Sequence, residues 1–141
     1  IEATRAILPR TRTFGLVGSL EYAVRGGRVP RWVKNAADRL RLMPVLHATR
    51  DGRVTAGGVL FGHERLKEKF ARFVRRRMRA GVPYRLLVGH ANCEADGQWL
   101  LDALTSDDVV YRRLLPCGTA FGVHGGPGLL VVAFQEYEPP R

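Results

Sequence analysis

The sequence predicts a single α/β domain over residues 1–141, a mixed parallel and antiparallel sheet packed with helices. Three observations lead there. Short apolar, β-branched segments alternate with stretches whose apolar residues recur every three or four positions, the spacing of a helix lying on a core. Asp51-Gly52, set between two strand-like segments, is the strongest hairpin signal in the chain and requires an antiparallel pair. Helical stretches join other strands, and crossovers of that kind allow parallel pairing.

Residues 1–8 read as a helix tail stopped by Pro9, followed by a strand over Thr13 to Val17. Ser19 is a good N-cap for a short helix, Leu20 to Arg25, which Gly26-Gly27 ends. Pro30 suits the first turn of a second helix, Pro30 to Leu42, with Trp32, Val33, Ala36, Ala37 and Leu40 as its apolar stripe. Pro44 to Arg50 and Arg53 to Phe61 form the hairpin, and Gly57-Gly58 predicts a bulge or a close backbone approach in its second strand. A long helix is expected over His63 to Arg79, closed by Gly81, with Leu66, Phe70, Phe73, Val74 and Met78 on one face. A strand over Tyr84 to Gly89 leads to a helix over Glu94 to Leu104, with Trp99, Leu100 and Leu104 inward. A strand over Val109 to Leu115 then leads, through a glycine-rich loop, to a last buried strand, Leu129 to Phe134. The tail Glu138-Pro139-Pro140-Arg141 cannot continue a central strand.

Composition narrows the function. At 45% hydrophobic and 26% charged residues the chain has the make-up of a globular protein, and no apolar stretch reaches the ~18 residues of a membrane span. It starts at Ile1 with no signal-peptide pattern, so it is expected to begin partway through a longer product. Cys93 and Cys117 form no Cys-x-x-Cys pair, which predicts a reduced, cytoplasmic protein without a disulfide framework. The histidines at 47, 63, 90 and 124 lack metal-helix spacing, and no metal site is expected.

The net charge is +10, and the stretch from His63 to Arg79 alone carries +6, with eight Lys or Arg against Glu64 and Glu68. Such a run suits a solvated helix face or a patch for an acidic partner, with Arg65, Arg75 and Arg76 the candidate contacts. Nucleic-acid binding is the weaker reading, since the helix aromatics fall on its apolar side and no recognition motif accompanies them. No catalytic constellation stands out: serine lacks a nucleophile elbow, and no Walker or dinucleotide loop is present.

The most distinctive stretch is Phe121-Gly122-Val123-His124-Gly125-Gly126-Pro127-Gly128. Residue chemistry leaves two readings open. One is a tight loop whose histidine and bare N–H groups face a cleft and hold a small anion; the other is a bend whose histidine only ties the loop down. His90, at a strand end, either faces the same cleft or satisfies a helix start.

Four segments together resemble the carboxy-terminal half of the DegV family. Ser19-Leu20-Glu21-Tyr22 with Gly26-Gly27-Arg28-Val29 is similar to its Thr-Leu-Glu-Tyr…Gly-Gly-Arg-Ile signature, and Met43-Pro44-Val45-Leu46 with Asp51-Gly52 to its Lys-Pro-Ile-Leu hairpin. Gly89-His90-Ala91 resembles the family's strand end, and His124-Gly125-Gly126-Pro127-Gly128 its His-Thr-Gly-Pro-Gly loop. The resemblance implies a two-domain protein that holds a fatty acid between its domains, catalyses nothing itself and presents the acyl chain to a separate fatty-acid kinase. It implies a long-chain fatty acid as ligand and no cofactor. His124 would then help bind the carboxylate or acyl phosphate, with Gly125, Gly126, Gly128, Ser19, Arg28 and His90 completing the candidate ligand set. The missing amino-terminal domain, the fatty acid and a kinase are the implied partners, with neither nucleic acid nor membrane insertion. The sequence departs from the family at Gly125, which stands for a threonine, and at Leu60 or Phe61, where many relatives carry an arginine associated with phosphate or kinase contact. Arg65 and His63 are the candidates to replace it. The alternative is a regulatory or docking module acting through the basic stretch 63–79.

Overall fold

β-branched and aromatic residues extend β1 (Thr11–Leu16), and Ser19 turns the chain into α1 (Leu20–Arg25). The Ser19 hydroxyl accepts a hydrogen bond from the Glu21 N–H at 3.2 Å, satisfying one of the donors that a helix start leaves unpaired. Ser19→Ala is expected to lower the unfolding free energy by about 1 kcal/mol, and Ser19→Asp to restore it, as read from urea denaturation. The remaining elements follow in order: α2 (Arg31–Arg39), β2 (Leu42–Ala48), β3 (Val54–Phe61), α3 (Leu66–Arg75), β4 (Tyr84–His90), α4 (Glu94–Leu104), β5 (Val109–Pro116), α5 (Thr119–Gly125) and β6 (Leu130–Glu136). The computed structural model describes Arg5 and residues 7–138. The helix tail read over residues 1–8 lies largely outside these, as does the end of the tail 138–141; Leu8–Arg10 form a 3-10 turn.

The six strands make one sheet in the order β3-β2-β1-β6-β4-β5. β4 and β5 pair in parallel across the α4 crossover, and every other pairing is antiparallel, the mixed sheet that the hairpin and the crossovers demand. Within the hairpin Val45 faces Gly58 and Leu46 faces Ala56, so Gly57 is the extra residue of a bulge.

One sheet face is the core. Phe14, Leu16, Leu86, Val88, Leu130, Val132 and Phe134 lie there, all buried, against Phe70 and Val74 of α3 and Leu100 and Leu104 of α4. Glycines let helix and sheet approach. Phe73 of α3 lies over Gly58 and meets Phe14 edge-on at 5.4 Å, while Gly97 presses α4 so close that a Cβ there would stand 2.9 Å from Leu114. The opposite face carries the row Leu46, Gly15, Val131, Gly89 and Leu115, paired in register across five strands. The described residues cover it only in part: Leu87 and Leu115 remain more than a third exposed.

Five expectations are corrected. α2 stops at Arg39, because Arg41 takes a left-handed φ of 52° and Leu42 already belongs to β2. Its inward residues are Ala37 and, in part, Val33. Trp32, Ala36 and Leu40, one ridge at steps of four, point outward, with Trp32 72% exposed. The basic helix is ten residues long, not seventeen, since Gly62 and Arg65 adopt positive φ before it and the chain tightens into turns after Arg75. Trp99 lies outward with the Lys67 ammonium 5.2 Å from its ring, because Gly97, Leu100, Leu101 and Leu104 form the buried face of α4. The glycine-rich loop contains α5, a short helix that the glycine count concealed.

Candidate functional site

The strand directions gather the connections. β1, β3, β4 and β5 all finish at one end of the sheet, where β2 and β6 begin, so α1, α2 and α5 crowd that end. In open α/β sheets this carboxyl end of the strands is the usual place for a ligand.

His124 sits in the last turn of α5 and abuts the Gly26 turn at the end of α1: a Cβ on Gly26 would stand 2.5 Å from its Nδ1. That turn is built by N–H donations from Gly26 to Tyr22, Gly27 to Val24 and Arg28 to Ala23. The imidazole is half-buried, and its Nδ1 is enclosed with no hydrogen-bond partner among the described residues. After it, Gly126 has φ 72° and lies under the Tyr22 ring of α1, Leu129 fills the space beside Gly125, and Gly128 has φ 84°. Gly18 packs on the same loop, where a Cβ would fall 2.7 Å from the Pro127 carbonyl oxygen. Ser19, the next residue, is half-buried at this junction.

The structure thus brings Ser19, Gly26, His124, Gly125, Gly126 and Gly128 together. It also corrects one expectation about them. The loop does not offer bare N–H groups: Gly126 donates to Gly122 at 2.9 Å, Gly128 to Ala91 at 2.8 Å and Leu129 to Gly126 at 3.3 Å. The donors left open at this junction belong to side chains. The Ser19 oxygen accepts from Glu21 and keeps its own O–H, and the imidazole contributes a ring N–H.

Arg28 is exposed and reaches back to the Gly26 carbonyl oxygen at 3.5 Å. His90 points to the packed face, beneath Gly97 of α4, and its Nδ1 is buried without a partner among the described residues. The basic residues are largely committed within the fold. Arg75 donates to the Leu104 carbonyl at 2.9 Å, closing the end of α4, Lys69 donates to Phe61, and Lys67 and Arg79 pair with Asp96 and Glu136. Arg65 stands 3.8 Å from Glu68, and Arg76 is exposed.

Cys93 and Cys117 flank the site. The Cys93 thiol donates to the Leu129 carbonyl oxygen at 3.4 Å, and Cys117 sulfur lies over Gly89. Burial pushes both thiols up from their ordinary range, which lowers the thiolate fraction at a given pH. Both are expected to react with iodoacetamide at pH 8 several-fold more slowly in the folded chain than in urea, as followed by mass spectrometry. Among the described residues no group of three or more His, Cys, Asp or Glu fits a metal ion, and no helix is long and apolar enough to cross a membrane.

The model of the DegV family, described as uncharacterised proteins, matches residues 1–136. The chain belongs to the DegV family. A DegV domain-containing protein of Clostridium perfringens is 27% identical over 137 residues, covering 96% of this chain and 48% of its own length. Among solved structures, a fatty-acid-binding DegV family protein of Thermus thermophilus superposes with a TM-score of 0.75 at 25% identity, covering 97% of this chain and 51% of its own. One of Eubacterium eligens loaded with heptadecanoic acid superposes with a TM-score of 0.74 at 21% identity, covering 96% and 49%. The fold is the DegV α/β fold, and the chain spans about half the length of these relatives.

Several contributors to the site escaped the sequence reading. Gly15 and Gly89 lie in the row of the partly covered sheet face, and Gly18 and Tyr22 touch the loop. The available signal was a glycine inside each of two apolar strands, which marks a close approach to the backbone.

Proposed function

We propose that this chain is the carboxy-terminal half of a fatty-acid carrier and forms one wall of its lipid site. The observation that carries this is the partly uncovered apolar sheet face. The row Leu46-Gly15-Val131-Gly89-Leu115 lies one register step from the strand ends where α1 and the His124 loop pack together. An exposed apolar strip costs about 25 cal/mol per Å² to keep in water, so an acyl chain or a second domain covering it is favoured. Gly15 and Gly89 keep this face low beside Leu46 and the Cys117 sulfur, the nearest side chains to them.

The carboxylate end follows from the donors. With Nδ1 of His124 sealed and unpartnered, an unmet lone pair there is cheaper than an unmet N–H, so the proton resides on Nε2. That Nε2–H and the Ser19 hydroxyl are the carboxylate donors, and the glycines at 125, 126 and 128 shape the loop without donating. The fatty acids held by the Thermus thermophilus and Eubacterium eligens relatives support this ligand class. Sequence beyond this chain supplies the other wall, in keeping with relatives twice as long. In this reading the protein is a non-catalytic carrier that offers the carboxylate of its ligand to a fatty-acid kinase, with Arg65 as a candidate contact.

Mass spectrometry of lipid co-purified with the longer protein tests the proposal. An acyl species stoichiometric with protein is expected. The absence of any acyl species, together with unchanged fatty-acid affinity in His124→Ala, would overturn it.

A further inference from the structure

A second concave site lies at the other end of the sheet, where β1 begins and β2 ends. It is a basin of about 350 Å³ whose lining includes Arg12, Phe14, His47, Arg50, Gly57 and Arg77. Three arginines and a histidine face it, and no carboxylate among the described residues does.

Arg77, Arg50 and His47 are fastened in place. Arg77 lies with its guanidinium 3.5 Å from the Phe73 ring centre and donates one N–H to the Phe73 carbonyl oxygen at 2.9 Å. Arg50 donates to the Pro9 carbonyl oxygen at 3.1 Å, and His47 bonds the Thr13 carbonyl oxygen through Nδ1 at 3.1 Å while stacking on Phe14. Each thus uses one polar atom on a carbonyl and keeps its remaining polar atoms for the basin. Little side-chain entropy is then lost when an anion arrives. Gly57, the bulge residue, keeps the floor open: a Cβ there would stand 2.6 Å from that of His47.

The arrangement is electrostatically unbalanced. Burial and the neighbouring Arg12 charge both hold Arg77 below the ordinary arginine range. Two like charges gathered at a concave surface repel, and an oxyanion between them reverses the sign of that interaction.

We propose that this basin binds a phosphate-type oxyanion, free or carried on a small molecule, through Arg12, Arg50 and Arg77. It is separate from the His124 site, being at the opposite end of β1. The ligand is small, since the basin holds a few tens of atoms at most, and planar guanidinium forks suit a tetrahedral oxyanion.

Titration calorimetry of the chain with pyrophosphate and with adenosine monophosphate tests this. Binding of either is expected, weakened about tenfold by Arg12→Ala and by Arg50→Ala, each of which removes charge-assisted hydrogen bonds. Arg72→Ala removes the same charge outside the basin and is expected to leave affinity within about twofold. Tighter adenosine monophosphate binding identifies a carried phosphate, and tighter pyrophosphate binding a free one. No binding of either probe, or equal loss in all three variants, would overturn the proposal. Circular dichroism of each variant excludes misfolding as the cause.

Discussion

His124→Ala is expected to weaken fatty-acid binding about tenfold or more while leaving the fold in place. A hydrogen bond to a charged partner contributes ~1.5–3 kcal/mol, or about one to two decades of affinity. The imidazole costs little to remove. It is half-buried, its Nδ1 has no partner among the described residues, and that side of the ring packs on the bare Gly26. Unfolding free energy should therefore shift by less than about 1 kcal/mol. Displacement of a fluorescent fatty acid from the longer protein, read beside a urea titration, separates the two quantities. His124→Gln retains an N–H donor and should recover part of the affinity. An alanine variant with unchanged affinity would move the carboxylate contact elsewhere.

Gly126→Ala should produce the larger loss of stability, about 3 kcal/mol. Two costs coincide there. At φ 72° and ψ 178° the residue occupies a region that is essentially glycine-only, worth ~1–3 kcal/mol of strain for an L-residue. A Cβ would also overlap the Tyr22 ring, and relieving that overlap costs a further ~1–3 kcal/mol. Because Tyr22 belongs to α1, the same change pushes Ser19 and Gly26 away from His124, and ligand binding should fall with stability. Tyr22→Ala in the Gly126→Ala background should recover the overlap and leave the strain, a non-additivity that a double-mutant cycle in urea resolves. A Gly126→Ala variant as stable as the parent would contradict the packing of α1 on this loop.

Much of the architecture is written locally. Ser19 caps a helix wherever it precedes Leu20–Arg25, because the cap bond closes within three residues. Asp51-Gly52 makes its hairpin for the same reason, with Gly52 at φ 82° in the turn. The alternation of strand and helix stretches then specifies the α/β class and the mixed sheet, and the four motif segments specify the family.

Tertiary packing decided the rest. Trp32 and Trp99 fit apolar helical spacing, yet both lie outward, because helical period does not say which of two adjacent ridges meets the sheet. Gly97 settled this for α4 by allowing a closer approach than any side chain permits. The helical turn holding His124 was hidden because Gly122, Gly125 and Gly126 are poor helix formers, and contact with Tyr22 and Leu129 outweighs that preference. Most consequentially, the loop looked like a cradle of free N–H groups, and only the fold showed them bonded to Gly122, Ala91 and Gly126. Sequence determined that a glycine-lined histidine would be present. Backbone bonds within the loop and across to Ala91 determined that these amides are already satisfied, since a donor paired by the fold has nothing left to give.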